Sequence, residues 1–117
     1  MITTSKEYSM ATNLDFIEYI CDQIAGSGDI RYRKMFGEYM VYVNDRPLFL
    51  VCDNLVYVRM LEPLAETLKD ADKGFPYHGA KEHYILDIDN RHLALQVVEI
   101  LLPLIAIPQP KKKKKKT

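Results

Sequence analysis

Met35-Phe36-Gly37-Glu38-Tyr39-Met40-Val41-Tyr42-Val43-Asn44-Asp45-Arg46-Pro47-Leu48-Phe49-Leu50-Val51-Cys52-Asp53-Asn54-Leu55-Val56-Tyr57-Val58-Arg59-Met60 is the stretch whose reading decides the fold. β-Branched and aromatic residues fill short runs, and the gaps between them, Asn44-Asp45 and Asp53-Asn54, hold residues that tolerate positive φ. That combination predicts a β-meander. With both gaps read as tight hairpin loops, Val41 falls opposite Leu48, Tyr39 opposite Leu50, Leu50 opposite Tyr57 and Leu48 opposite Arg59. One face then carries Tyr39, Val41, Val43, Leu48, Leu50, Cys52, Leu55 and Tyr57, and the other Met40, Tyr42, Phe49, Val51, Val56, Val58 and Met60. Neither face is polar. Both are therefore expected to be covered, by helices split between them or by a second subunit.

Upstream, Ile30 to Phe36 alternates Arg31, Arg33 and Met35 against Tyr32, Lys34 and Phe36, which suits an edge strand with a charged face. Before it, Leu14, Ile17, Cys21 and Ile24 recur at helical spacing, with Phe16 and Ile20 beside them and Asp15, Glu18 and Asp22 outside. Thr12 or Asn13 can cap this helix, and Gly26 and Gly28 can end it. Downstream, Glu62 to Ala71 reads as a helix with Leu64, Leu68 and Ala71 on one side, and His83 to Ile88 as a further strand. A last helix starts near Asp89 or Asn90, apolar around most of its circumference, and Pro103 kinks or ends it. The expected architecture is a two-layer α+β domain in the order α-β-β-β-β-α-β-α, with an antiparallel sheet.

The 117 residues suffice for one core. Apolar residues at 48% and charged residues at 27% place the chain among ordinary globular proteins rather than disordered ones. Cys21 and Cys52 form no metal or redox motif and are read as reduced thiols. The N-terminus lacks the apolar segment of a signal peptide, and the last helix is too short and too interrupted to span a bilayer. A cytoplasmic location without membrane association follows as the expectation. The organisation reads as a disordered lead over 1–12, with Met1 or Met10 as the start, one domain over 13–107 and a disordered Pro/Lys-rich tail over 108–117. The formal charge of zero hides an asymmetry: six of the sixteen Lys and Arg are Lys111 to Lys116, leaving ten basic against sixteen acidic residues in the body, a balance of minus six.

Arg33-Lys34-Met35-Phe36-Gly37, the Tyr39 and Tyr42 strand, Pro47-Leu48-Phe49 and Leu55-Val56-Tyr57-Val58-Arg59 together resemble the N-terminal domain of the TfoX (Sxy) competence regulators. Phe75-Pro76-Tyr77 and Tyr84 are similar to that domain's later aromatic landmarks, so the resemblance runs from about Asn13 to Leu102. Met35, Phe36, Gly37, Tyr57, Phe75 and Tyr84 are the residues that carry it. Glu38 departs from it, standing where the family often has a second glycine, and the chain has no room for the family's separate C-terminal domain. The resemblance implies an α+β domain linked to regulating DNA uptake, with no catalytic residues to transfer.

The chemical candidates are few. Arg31, Arg33, Lys34 and Arg59 can form a basic ridge for phosphate or an acidic partner, or merely protect the edge strand. His78 and His83 with Asp87 do not have the spacing of a metal site. Cys52 reads as a buried structural thiol, and Gly37 as a backbone reversal. Tyr39, Tyr42, Tyr57, Tyr77 and Tyr84 can line a ligand wall, although lining of the sheet and its interface explains them better. Pro108-Gln109-Pro110 stops any helix, and Lys111, Lys112, Lys113, Lys114, Lys115 and Lys116 follow as an arm able to bind nucleic acid weakly or only to aid solubility. No catalytic, cofactor or metal site is expected. The leading expectation is a non-enzymatic cytoplasmic regulatory module, homodimeric through a sheet face or the last helix, with an unidentified regulatory protein partner. An accessory nucleic-acid binder using the lysine tail, with Arg31, Arg33 and Lys34, is the alternative. An enzyme or small-ligand protein using the Tyr and His cluster near Tyr77 to Tyr84 is the third.

Overall fold

Pairs of residues in the left-handed region build the meander. Asn44 and Asp45 sit at φ 53° and 66°, and Asp53 and Asn54 at 52° and 59°, the geometry of type I′ turns, whose twist matches that of the strands they join. In the computed structural model, which describes residues 12–35 and 37–108, these turns connect β2 (Glu38–Val43), β3 (Arg46–Cys52) and β4 (Leu55–Arg59). β1 (Ile30–Met35) precedes them, and Met35 pairs with Glu38 across a reversal at which Gly37 takes φ 82°. The short strands β5 (Asp72–Gly74) and β6 (His83–Leu86) complete a six-stranded sheet of order β1-β2-β3-β4-β6-β5, antiparallel throughout. With helices α1 (Leu14–Gln23) and α2 (Arg91–Leu101) at either end of the chain, the fold is the expected α+β type.

The helix caps are chemical. The Phe16 N–H donates to Asn13 Oδ1 at 2.9 Å, and the Leu93 N–H to Asn90 Oδ1 at 3.0 Å, each satisfying a donor the first helical turn leaves free. Ile17, Ile20 and Ile24 of the first helical segment are fully buried, as are Ala94 and Val97 of α2. Leu14, placed on the apolar stripe by its spacing, is instead exposed. Each buried aliphatic side chain contributes about 1.5–3 kcal/mol, so these residues anchor both helices to the sheet.

Both helices lie on one side. Ile17, Ile20, Val97 and Leu101 share a single cluster with Tyr39, Val41, Val43, Phe49, Val51, Val56, Val58, Tyr84 and Leu86. A division of the helices between the two faces is thereby overturned. The expected register also changes within β3. Val43 pairs with Arg46 and Tyr42 with Pro47, but Val41 then pairs with Phe49, Met40 with Leu50 and Tyr39 with Val51. Leu48 is an extra residue in a β-bulge, so Val41 does not face Leu48 and Tyr39 does not face Leu50. The bulge lets the consecutive residues Leu48 and Phe49 both enter the core. Leu50 does pair with Tyr57, where the β3–β4 ladder begins, and Arg59 pairs with His83 rather than Leu48.

The segment expected as a helix over Glu62 to Ala71 is a 3₁₀ turn, Glu62–Leu64, followed by further turns, although Leu64 and Leu68 are buried as the spacing requires. Leu61 at its start offers no capping side chain. Glu62, Glu66 and Asp70 would also stack like charges four residues apart along a helix, which disfavours it. Thr12, at the end of the expected lead, is buried, and its Oγ1 accepts from the Asn54 N–H at 3.1 Å. The rest of the lead, and the tail beyond Pro108, lie outside the described residues.

Candidate functional site

The face turned away from the helices is the largest unexplained feature of the molecule. The ladder sets one row of residues straight across all six strands of it: Arg33 on β1, Met40 on β2, Leu50 on β3, Tyr57 on β4, Ile85 on β6 and Asp72 on β5. A cation stands at one edge, a carboxylate at the other, and four apolar side chains lie between. Met40, Leu50 and Ile85 are half-buried, and Tyr57 is 7% exposed. Its ring meets the His83 ring edge to face, with centroids 6.3 Å apart. A Cβ on Gly74 would come within 3.2 Å of Ile85 Cδ1 and 3.6 Å of Tyr57 Cε1, so the glycine leaves these two side chains their room. An antiparallel sheet with one solvated face normally alternates apolar and polar. Here the middle of the second face is apolar without a helix over it, and Arg31, Arg33, Arg59 and Asp72 stand around it.

The structure separates the residues grouped by sequence. Arg31 pairs with Tyr42, Arg33 with Met40 and Arg59 with His83, which sets these arginines on the open face, whereas Lys34 pairs with Tyr39 and belongs to the other side. Arg31 lies 3.5 Å from Asp29 and 4.0 Å from Asp45, surface ion pairs worth little. The tyrosines do not converge: Tyr39 and Tyr84 are in the core, Tyr42 and Tyr57 are on the open face, and Tyr77 is 53% exposed in a loop. Phe75 is 60% exposed beside it. His83 Nδ1 lies 2.7 Å from the Lys81 carbonyl oxygen. Among the described residues no group of three or more His, Cys, Asp and Glu is arranged to hold a metal ion, and no helix is long and apolar enough to cross a membrane. Phe36 and Lys111 to Lys116 lie outside the described residues.

Cys52 is buried on the open-face side, and burial, reinforced by the Glu38 carboxylate, pushes its thiol up to about 12. Such a thiol is protonated at neutral pH and is a poor nucleophile. Burial likewise raises Cys21, with Asp22 and Glu18 adding to the effect.

Two features were absent from the sequence reading. Arg46 Nη1 donates to the Ile105 carbonyl at 2.6 Å and ties the segment after α2 to the β2–β3 hairpin. That tie carries the chain to a recess of about 410 Å³ lined by Arg31, Arg33, Tyr42, Ile107 and Pro108, at the corner of the open face. The second is a groove of about 690 Å³, with Asp70, Asp72, Asp87 and Asp89 among its lining residues. The paired Asp-x-Asp spacings were its visible signal.

A six-stranded antiparallel sheet with both helices on one face defines a small α+β domain. Its sequence matches the TfoX N-terminal domain model over residues 22–92, and the chain belongs to that family, which is not a known enzyme family. It is also 27% identical over 110 residues, 92% of this chain and 96% of the other, to a Spirochaeta aurantia protein described as an uncharacterized 12.7 kDa protein in the trpE 5′ region.

Proposed function

We propose that this domain is a non-enzymatic, cytoplasmic regulatory module that works by binding protein, and that the open sheet face is its docking surface. The apolar row Met40, Leu50, Tyr57 and Ile85 carries this reading. Membership of the TfoX N-terminal family supports a role in regulation. The row is half-buried to buried within the chain, and apolar ground rimmed by charged residues such as Arg33 and Asp72 is the setting in which interaction sites form.

Leu50→Glu places a charge at the centre of the face without touching the core on the other side. In the source organism, deletion of the protein is expected to change a defined set of transcripts, and the wild-type allele restores them whereas a folded Leu50→Glu protein does not. Full restoration by Leu50→Glu would exclude the face, and an unchanged transcript profile on deletion would exclude the regulatory role.

A second reading rests on the corner recess. The described chain ends beside Arg31, Arg33 and Tyr42, and Lys111 follows Pro108 closely enough in sequence for the lysines to act with these arginines on a nucleic-acid backbone. Binding of this kind weakens steeply with salt. Titration of an oligonucleotide with full-length protein and with protein ending at Pro108 tests it, and equal affinities would remove the tail from consideration.

A further inference from the structure

We propose that the open sheet face pairs with a second copy of this chain, stacked so that the strand order runs in opposite directions in the two copies and Arg33 of each lies over Asp72 of the other. This rests on the reading of the face as a docking surface and specifies its occupant.

The argument comes from the row Arg33, Met40, Leu50, Tyr57, Ile85, Asp72. It is positive at one end, negative at the other and apolar between. A two-fold axis parallel to the strands, lying midway between two face-to-face sheets, reverses this row onto itself. Arg33 then meets Asp72, Met40 meets Ile85 and Leu50 meets Tyr57, each contact occurring twice, as a two-fold interface requires. In the neighbouring row Tyr42, paired with Arg31, falls over His83, which is paired with Arg59 and Gly74, at the corner of the face where Ile107 and Pro108 also lie. The other in-plane axis, perpendicular to the strands, stacks Arg33 on Arg33 and Asp72 on Asp72. Like charges brought face to face are strongly unfavourable, so the charges select the first axis.

The dimensions suit a second copy as well. Six strands spaced about 4.8 Å apart and about five residues long on average, at roughly 3.4 Å per residue, give a face of about 24 by 18 Å. That footprint is about half of the roughly 800 Å² per partner of a standard interface, the size of a weak, concentration-dependent pair. Two sheets of equal width stack about 10 Å apart with their strands near −30°, an ordinary sandwich geometry. A partner of a single charge sign would leave either Arg33 or Asp72 facing its own sign.

Charge exchange tests the geometry on the full chain. Sedimentation velocity from micromolar to about 100 μM protein is expected to show a monomer–dimer equilibrium. Arg33→Asp alone and Asp72→Arg alone are each expected to weaken it at least about tenfold, because each brings like charges together. The double exchange Arg33→Asp with Asp72→Arg restores dimerisation to near the wild-type level. Both positions are exposed on edge strands, and circular dichroism confirms that each variant is folded. Wild-type protein that stays monomeric overturns the second-copy assignment, while the transcript experiment with Leu50→Glu separately decides whether the face docks anything. A wild-type dimer that Leu50→Glu breaks, but in which the double exchange fails to restore what the single exchanges weaken, overturns the reversed stacking and leaves the face as the docking surface.

Discussion

Replacing Gly28 by alanine tests how the edge of the sheet is assembled. Gly28 sits at φ 154°, and a Cβ there would come within 2.8 Å of both Asn44 Oδ1 and Val43 Cγ1. Asn44 is the first residue of the β2–β3 turn. Its Oδ1 accepts from the Asp29 N–H at 2.9 Å, and its own N–H donates to the Asp29 carbonyl at 2.8 Å. An added methyl must therefore displace a side chain that clamps the start of β1 to the hairpin. Overpacking of this kind costs about 1–3 kcal/mol, and the disfavoured backbone conformation adds roughly 1–2 kcal/mol. The expected loss is about 2–5 kcal/mol, a large share of the roughly 5–15 kcal/mol that keeps a domain folded. Gly37→Ala is the control: Gly37 also has positive φ, at 82°, but a Cβ there meets nothing within 4 Å, so only the conformational cost of about 1–2 kcal/mol applies. Urea unfolding of both variants, with the m-values compared, measures the difference. Gly28→Ala proving no more harmful than Gly37→Ala would refute the clamp.

The buried thiol and a surface phenol supply two more tests. Because the thiolate fraction falls tenfold for each pH unit below the pKa, Cys52, held up to about 12, should react with iodoacetamide at pH 8 at least about a hundredfold more slowly than a free thiol. Peptide mapping that finds Cys52 modified as fast as a small-molecule thiol would contradict its assigned environment. Tyr19 Oη donates to Asp89 Oδ1 at 2.6 Å, and this hydrogen bond to a carboxylate raises its pKa above 10.0. The fold therefore favours the protonated phenol: its contribution is fully present below pH 10.0 and is lost as pH rises through the raised value. Tyr19→Phe should flatten the alkaline decline in the urea midpoint, and an identical decline in the two proteins would remove the link.

The turns were legible in the sequence because their cause is local. Asn44-Asp45 and Asp53-Asn54 favour positive φ wherever they stand, and the helix caps at Asn13 and Asn90 depend only on a side-chain oxygen near free N–H groups. The bulge at Leu48 was not legible, because nothing in Arg46-Pro47-Leu48-Phe49 marks which residue is extra. It forms because the core takes both Leu48 and Phe49. That single extra residue redistributes the faces. Leu50 and Tyr57 were assigned alongside Val41 but lie opposite it, and Phe49 joins the core side instead.

The Glu62 to Ala71 segment shows periodicity misleading in another way, since Leu64 and Leu68 are buried without a regular helix between them. β5, with the polar sequence Asp-Lys-Gly, carries no strand signal of its own and exists through its pairing with β6. The separation of Lys34 from Arg31 and Arg33 follows from strand alternation alone and was readable from the start. The charged ends of the row from Arg33 to Asp72 were not, because Asp72 reaches it only through the crossover that sets β6 beside β4.

The docking role of the open face is tested most directly by an isotope-filtered NOE measurement on a mixture of labelled and unlabelled full-length protein. The reversed stacking predicts intermolecular contacts between the Met40 methyl of one copy and the Ile85 methyls of the other. Intermolecular contacts confined to Leu95 on α2 and Leu102 just after it, or none at concentrations where the protein sediments as a dimer, would contradict it.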